Sequence, residues 1–326
     1  MTLFRLESVM TNKAKGTLAA AGFAALASLL AGSLAAQDKP VEYIPTKLSD
    51  TVTMVKGQGG NIAVSAGEDG VFIIDDQLKP LTDQLLAAVR KIDDRPIRFV
   101  INTHYHGDHV GGNETLGKAG SVIIAHDNIR RRMSTDQFNH FFNDTTPAYP
   151  ADSLPVVTFN DRVSLHLNGE SVAVHHVPRG HTDGDSIVHF PISNVLHMGD
   201  IFFKGLYPYI DLDGGGTIQG MIGAVELALS LADEQTRIIP GHGTLSNRAE
   251  LQDYHDFLAK ARANVQAQID QGRNLEQAIA ARPTSEWDET LGGVWIKPEQ
   301  FVTFIFNSLA GVDHYTAPPS QDRETE

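Results

Sequence analysis

Thr103-His104-Tyr105-His106-Gly107-Asp108-His109 puts four metal-competent side chains within six residues. The run follows residues 97–102, an apolar, β-branched stretch of the buried-strand type. It therefore falls in a loop at a strand end, where side chains from several elements can converge. His104 and His106 are two apart, so on extended backbone they point the same way. Asp108 and His109 are adjacent and face different directions, which suits a neighbouring ion. As core filler the cluster would leave donors and acceptors unpaired. The competing readings are a plain polar loop and a single structural metal.

Any metal here is held by imidazole and carboxylate, because the chain has no cysteine. That also removes disulfides and a lipid-modified cysteine. The net charge of −14 over 326 residues disfavours nucleic acid as a partner. Its largest basic cluster is Arg130-Arg131-Arg132. Hydrophobic content of 41% supports a sizeable globular core.

Residues 1–36 read as an export signal. Lys13 and Lys15 form a basic start, an Ala- and Leu-rich run follows, and Ser33-Leu34-Ala35-Ala36 supplies small residues for cleavage. Met10, directly before the basic residues, is an alternative start to Met1. The expected location is periplasmic or secreted, with no stable membrane insertion after cleavage. An uncleaved anchor is the alternative, although the apolar run is only marginally long for a span. Nothing in the sequence specifies an oligomeric state.

Strands are expected at 52–55, 61–65, 71–74, 97–102 and 121–125, with helices at 81–91, 111–116 and 126–133. Residues 134–154 read as a loop or partial lid carrying Phe138, Phe141 and Phe142. Short strands follow at 156–159, 163–167, 171–176, 186–190, 194–198 and 237–239, around a helix at 218–231. From Ala249 the chain reads as helical, broken at Gly272, Pro283 and Pro298. Strand–helix units, a meander and terminal helices predict a layered α/β or α+β fold. The expected division is a signal at 1–36, a main domain at 47–249 and a helical extension at 250–326.

Three more candidates sit beside glycine at strand ends. They are His181 in Gly180-His181-Thr182-Asp183-Gly184, Asp200 in His197-Met198-Gly199-Asp200, and His242 in Pro240-Gly241-His242-Gly243. Glycine permits close backbone approach there. Taken in order, these motifs resemble the metallo-β-lactamase superfamily from about Val52 to Ala249. The resemblance implies a four-layer αββα sandwich with a C-terminal helical extension and two zinc ions per chain. His104, His106 and His181 would hold the first ion, Asp108, His109 and His242 the second, and Asp200 would bridge them. Two ions would share a water and lower its pKa so that it attacks a carbonyl of a small-molecule substrate. Asp108 would be the catalytic residue, orienting that water and moving its proton.

The substrate is less constrained. Export and the Asp108–His109–His242 set favour β-lactam ring opening, whereas Asp200 is more typical of glyoxalase II-type thioester hydrolases and lactonases. A mono-iron persulfide dioxygenase and a non-catalytic binding module are further alternatives. Lys204 is a candidate partner for a substrate carboxylate, and Tyr207 or Tyr209 for a developing oxyanion. Asp75, Asp76, Asp183 and Asp185 are candidates to orient ligand rings. His197 reads as a hydrogen-bonded strand residue.

Overall fold

The computed structural model describes residues 41–317. The proposed export signal and the last residues lie outside that range. Two sheets face each other. The first runs in the order β1 (Ile44–Lys47), β2 (Val52–Lys56), β3 (Ile62–Gly67), β4 (Gly70–Ile74), β5 (Ile97–Ile101), β6 (Val122–His126), β9 (Val157–Phe159). Its first four strands are antiparallel and the rest parallel. The second runs β10 (Arg162–Leu167), β11 (Glu170–His176), β12 (Ser186–Phe190), β13 (Val195–His197), β14 (Arg237–Ile239), β15 (Ser246–Asn247).

The inner faces bury Phe72, Ile74 and Ile101 against Val174, Val188 and Phe190. The Phe72 and Phe190 rings lie 6.1 Å apart and nearly parallel. Outside the first sheet, Leu85 and Val89 of helix Thr82–Arg90 cover Val64, Ile73 and Val100. Outside the second, helices Ile218–Leu231, Arg248–Asp270 and Pro298–Ala310 share one apolar cluster with Ile187 and Leu196. Every residue of β4 is buried, as expected for a strand covered on both faces. The result is the expected αββα arrangement.

The C-terminal helices are joined to the second sheet by that cluster. Tyr207 sits inside it, stacked on Phe301 with ring centroids 4.6 Å apart. Residues 134–154 differ from the expected loop. They contain a small hairpin, β7 (Gln137–Asn139) with β8 (Asp144–Thr146), and a turn at Ala151–Ser153. Strands of only three residues carry too little periodicity to be seen in sequence.

Candidate metal centre

The seven predicted ligands come together at one edge of the sandwich. β5 delivers His104 and His106, and the short helix Gly107–Val110 after it delivers Asp108 and His109. His181 follows β11, Asp200 follows β13 and His242 follows β14. They form two sets, His104–His106–His181–Asp200 and Asp108–His109–His242. Within each set the potential ligand atoms lie within 4.8 Å of one another. Asp200 touches both. Its Oδ2 is 3.8 Å from His104 Nε2 and 3.6 Å from His181 Nε2, while Oδ1 is 3.0 Å from His109 Nε2. His242 Nε2 is 3.3 Å from both Asp200 and Asp108.

Glycine makes this packing possible. A β-carbon on Gly241 would collide with the Asp200 carboxylate, and one on Gly60 with the His109 ring. The glycines beside the motifs therefore serve the approach of backbone to ligand side chains.

The outer hydrogen bonds fix which nitrogen of each ring faces inward. His109 Nδ1 donates to Asp75 Oδ2 at 2.7 Å. Asp75 also accepts from the Thr103 amide and hydroxyl. With its own proton given to Asp75, the Thr103 hydroxyl accepts from His104 Nδ1 at 3.1 Å. His181 Nδ1 donates to the Tyr209 carbonyl at 2.8 Å, and His106 Nε2 donates to Asp211 at 2.9 Å. In the neutral rings, lone pairs on His104 Nε2, His106 Nδ1, His109 Nε2 and His181 Nε2 consequently point into the site.

These lone pairs need a cation. His181 Nε2 and His106 Nδ1 lie 2.9 Å apart, two acceptors facing each other. His104 Nε2, His109 Nε2 and Asp200 Oδ1 are buried without a hydrogen-bond partner. Orphaned buried acceptors are costly unless an ion or proton satisfies them. The donor set is imidazole and carboxylate, which suits zinc.

Without ions, protons carry the compensating charge. Burial lowers His104 well below the ordinary histidine range, and burial lowers His181 to about 4. Burial also opposes a charge on His242, but Asp200 and Asp108 overcome it and raise that ring to about 10. His109 is raised in the same way, chiefly by Asp200 against the cost of burial. Burial would raise Asp108, but His109 and His242 hold it down at about 2. At neutral pH the metal-free site thus keeps protons on His109 and His242, and ligation requires their loss. Zinc loading should release about two protons per chain from these rings near pH 7, and affinity should increase with pH. Calorimetric titration in buffers of different ionisation enthalpy reads the proton count; a count of zero would contradict this electrostatic picture.

Other expected residues lie elsewhere. Lys204 is turned away: its ammonium donates to the Leu245 carbonyl at 3.0 Å and to Glu250 at 2.7 Å. The Tyr207 hydroxyl is held by Thr284 and Asp288 within the helical layer. Neither lines the cavity over His106, Asp108, Asp200 and His242. Tyr209 does line it, but its hydroxyl is bonded to Asp211. Of the four aspartates considered as ring-orienting groups, Asp75 fills that role. Asp76 accepts from the Gly112 amide, Asp183 pairs with Arg132, and Asp185 closes a turn on Thr182. His197 is buried and bonded to the Asn61 carbonyl.

Asp211 was not anticipated. It is fully buried and accepts from His106, Tyr105 and Tyr209, while Asn139 of the hairpin reaches it at 3.3 Å. It lies 105 residues from His106, in a glycine-rich turn with no local signal.

Paired His/Asp clusters at the open edge of an αββα sandwich define a metal-dependent hydrolase of the β-lactamase type. The sequence profile of the metallo-beta-lactamase superfamily matches residues 52–242, and the chain belongs to that superfamily. A hydroxyacylglutathione hydrolase from Synechococcus sp. is 26% identical over 234 residues, covering 64% of this chain and 79% of that protein. A metallo-beta-lactamase from Pontibacter korlensis superposes with a TM-score of 0.55 at 17% identity, covering 67% of this chain and 99% of that one. A sec-alkylsulfatase from Pseudomonas sp. superposes with a TM-score of 0.62 at 16% identity, covering 81% of this chain and 50% of that one.

Proposed function

We propose that this chain is an exported dinuclear-zinc hydrolase that cleaves an acyl bond, with a lactone or thioester favoured over a β-lactam. The observation that carries the reading is the set of inward lone pairs on four histidine rings, fixed by outer hydrogen bonds and flanked by Asp108 and Asp200. When bound, two zinc ions would acidify a water and polarise the acyl oxygen. His104, His106, His181 and Asp200 would hold one ion; Asp108, His109, His242 and the shared Asp200 would hold the other. Asp108, at the cavity wall, orients the attacking water and takes its proton. Asp75 and Asp211 keep the ligand rings in the productive tautomer.

Two points weigh on the substrate. The shared Asp200 suits the thioester and lactone hydrolases, and the relative from Synechococcus sp. is named a hydroxyacylglutathione hydrolase. The β-lactam reading rests on the Asp108–His109–His242 set and on export, and Lys204 is a separate candidate partner for a substrate carboxylate. Glu250 and the Leu245 carbonyl now occupy that lysine. Export rests on residues 1–36 of the sequence.

The test is a parallel assay of zinc-loaded protein on a β-lactam, a thioester and a lactone. Turnover of the lactone or thioester well above buffer, with a weaker β-lactam rate, is expected. A β-lactam rate far above the other two would reverse the substrate order. No turnover of any of the three would discard the acyl-hydrolase reading.

A further inference from the structure

Four of the seven side chains, His106, Asp108, Asp200 and His242, line a cavity of about 610 Å³. Its wall is built from three distant parts of the chain. The hairpin contributes Phe138 and Phe142, the segment after β13 contributes Leu206 and Tyr209, and the segment before helix Pro298–Ala310 contributes Trp295. Phe138 is 47% exposed, Phe142 52% and Trp295 39%, so their faces stay open at the cavity mouth. Exposed aromatics gathered around a cleft mark a binding surface rather than core filler.

These rings are arranged around the reacting end. Tyr209 lies between Phe142, at 5.5 Å, and Trp295, at 5.8 Å. Phe203 links the arc to the metal edge: it stacks on His242 at 5.4 Å and lies 6.4 Å from Trp295. Asn139 and Asp211 hold the Tyr209 hydroxyl, so the ring presents an apolar face.

Charge is equally informative. None of the described residues lining the cavity is Lys or Arg, and its only carboxylates are Asp108 and Asp200. Arg132, behind Tyr105, is committed to Asp183 by two hydrogen bonds. Gln137 of the wall already takes an Arg132 hydrogen bond and donates to Thr135. A carboxylate placed in this cleft would lose hydration and gain no cationic partner from the protein.

We propose that the substrate is an uncharged ester or lactone whose acyl side carries an apolar chain, seated on Phe142, Tyr209 and Trp295. This deepens the acyl-hydrolase reading and rests on it for the chemistry. Water adds to the acyl carbon, the acyl–oxygen bond breaks, and one proton from water ends on the departing alkoxide. The products are a carboxylic acid and an alcohol, with no change of oxidation state.

The test uses the zinc-loaded full chain and p-nitrophenyl acetate, p-nitrophenyl hexanoate and mono-p-nitrophenyl adipate. Burial of four added methylenes should raise kcat/KM for the hexanoate by up to about 200-fold over the acetate. The adipate, with a carboxylate at the chain end, should fall at least about tenfold below the hexanoate. Phe142→Ser should flatten the chain-length dependence. Binding is read separately in Trp287→Phe, which leaves Trp295 as the sole tryptophan. Hexanamide should shift its emission at concentrations where acetamide does not. Equal rates for acetate and hexanoate, or a preference for the adipate, would overturn the proposal. An unresponsive Trp295 would overturn it as well. An emission shift with no hydrolysis of these esters or of the lactone and thioester would uphold the apolar site and remove the acyl-hydrolase reading.

Discussion

Asp108→Ala is expected to lower kcat/KM about a thousandfold or more while leaving the far-ultraviolet circular dichroism unchanged. The carboxylate sits at the cavity wall, 3.3 Å from His242 Nε2 and 3.5 Å from His109 Nε2. Removing it takes away a member of the second ligand set and the group placed to accept the proton of the attacking water. Loss of a positioned general base alone costs roughly 10²–10⁴ in rate. The side chain is a quarter exposed and its charged partners are the ligand rings His109 and His242, so the fold is expected to survive. His106→Ala should have a comparable effect on rate through the first set. Full activity in either variant would overturn the catalytic assignment.

Asp211→Ala is expected to damage stability and metal binding together. Its carboxylate is a buried meeting point for His106 Nε2 and the hydroxyls of Tyr105 and Tyr209, with Asn139 at its edge. Alanine would leave these donors buried and unpaired. Each orphaned group costs about 1–3 kcal/mol, so a total of about 3–5 kcal/mol is expected. Asp211→Asn keeps the shape and removes the charge. It should fold nearly as well yet bind zinc about 10–100-fold more weakly, because a neutral amide in place of the charged acceptor lowers the basicity of the His106 ligand nitrogen. Thermal unfolding of the metal-free proteins and competitive zinc titration separate the two effects. Unchanged zinc affinity in Asp211→Asn would show that Asp211 serves packing alone.

The carboxylate also carries a pH prediction. Burial would raise its pKa, but His106 and Tyr105 outweigh that and hold it far below the ordinary aspartate value. A depressed folded-state pKa stabilises the native protein above the unfolded value and is lost as pH falls through the folded one. The Asp211 contribution should therefore persist to strongly acidic pH.

The ligand set was legible because it is local. His104, His106, Asp108 and His109 occupy one turn of chain, and His181, Asp200 and His242 each end a strand beside glycine. Strand ends in a layered fold gather at a common edge, and the resemblance to the metallo-β-lactamase superfamily supplied the grouping into two sets. Phe72 and Phe190, on facing strands, show that the sandwich core follows the same strand pattern. Asp211 was hidden for the opposite reason. Its partners lie far away in sequence, and a turn aspartate usually serves the turn itself. Lys204 and Tyr207 show the converse error. Nearness to Asp200 in sequence says nothing of direction, and Glu250 and Asp288, both from the C-terminal helices, draw those side chains away. Trp295 reaches the cavity from the segment just before helix Pro298–Ala310, a contact set by packing.

Everything depends on divalent ions filling the space between the inward lone pairs. Mass-spectrometric metal analysis of the protein, purified without chelator or added metal, addresses this directly. The account predicts two zinc atoms per folded chain. A single iron would favour the mono-iron oxygenase alternative, and a folded, active chain free of transition metal would contradict the account outright.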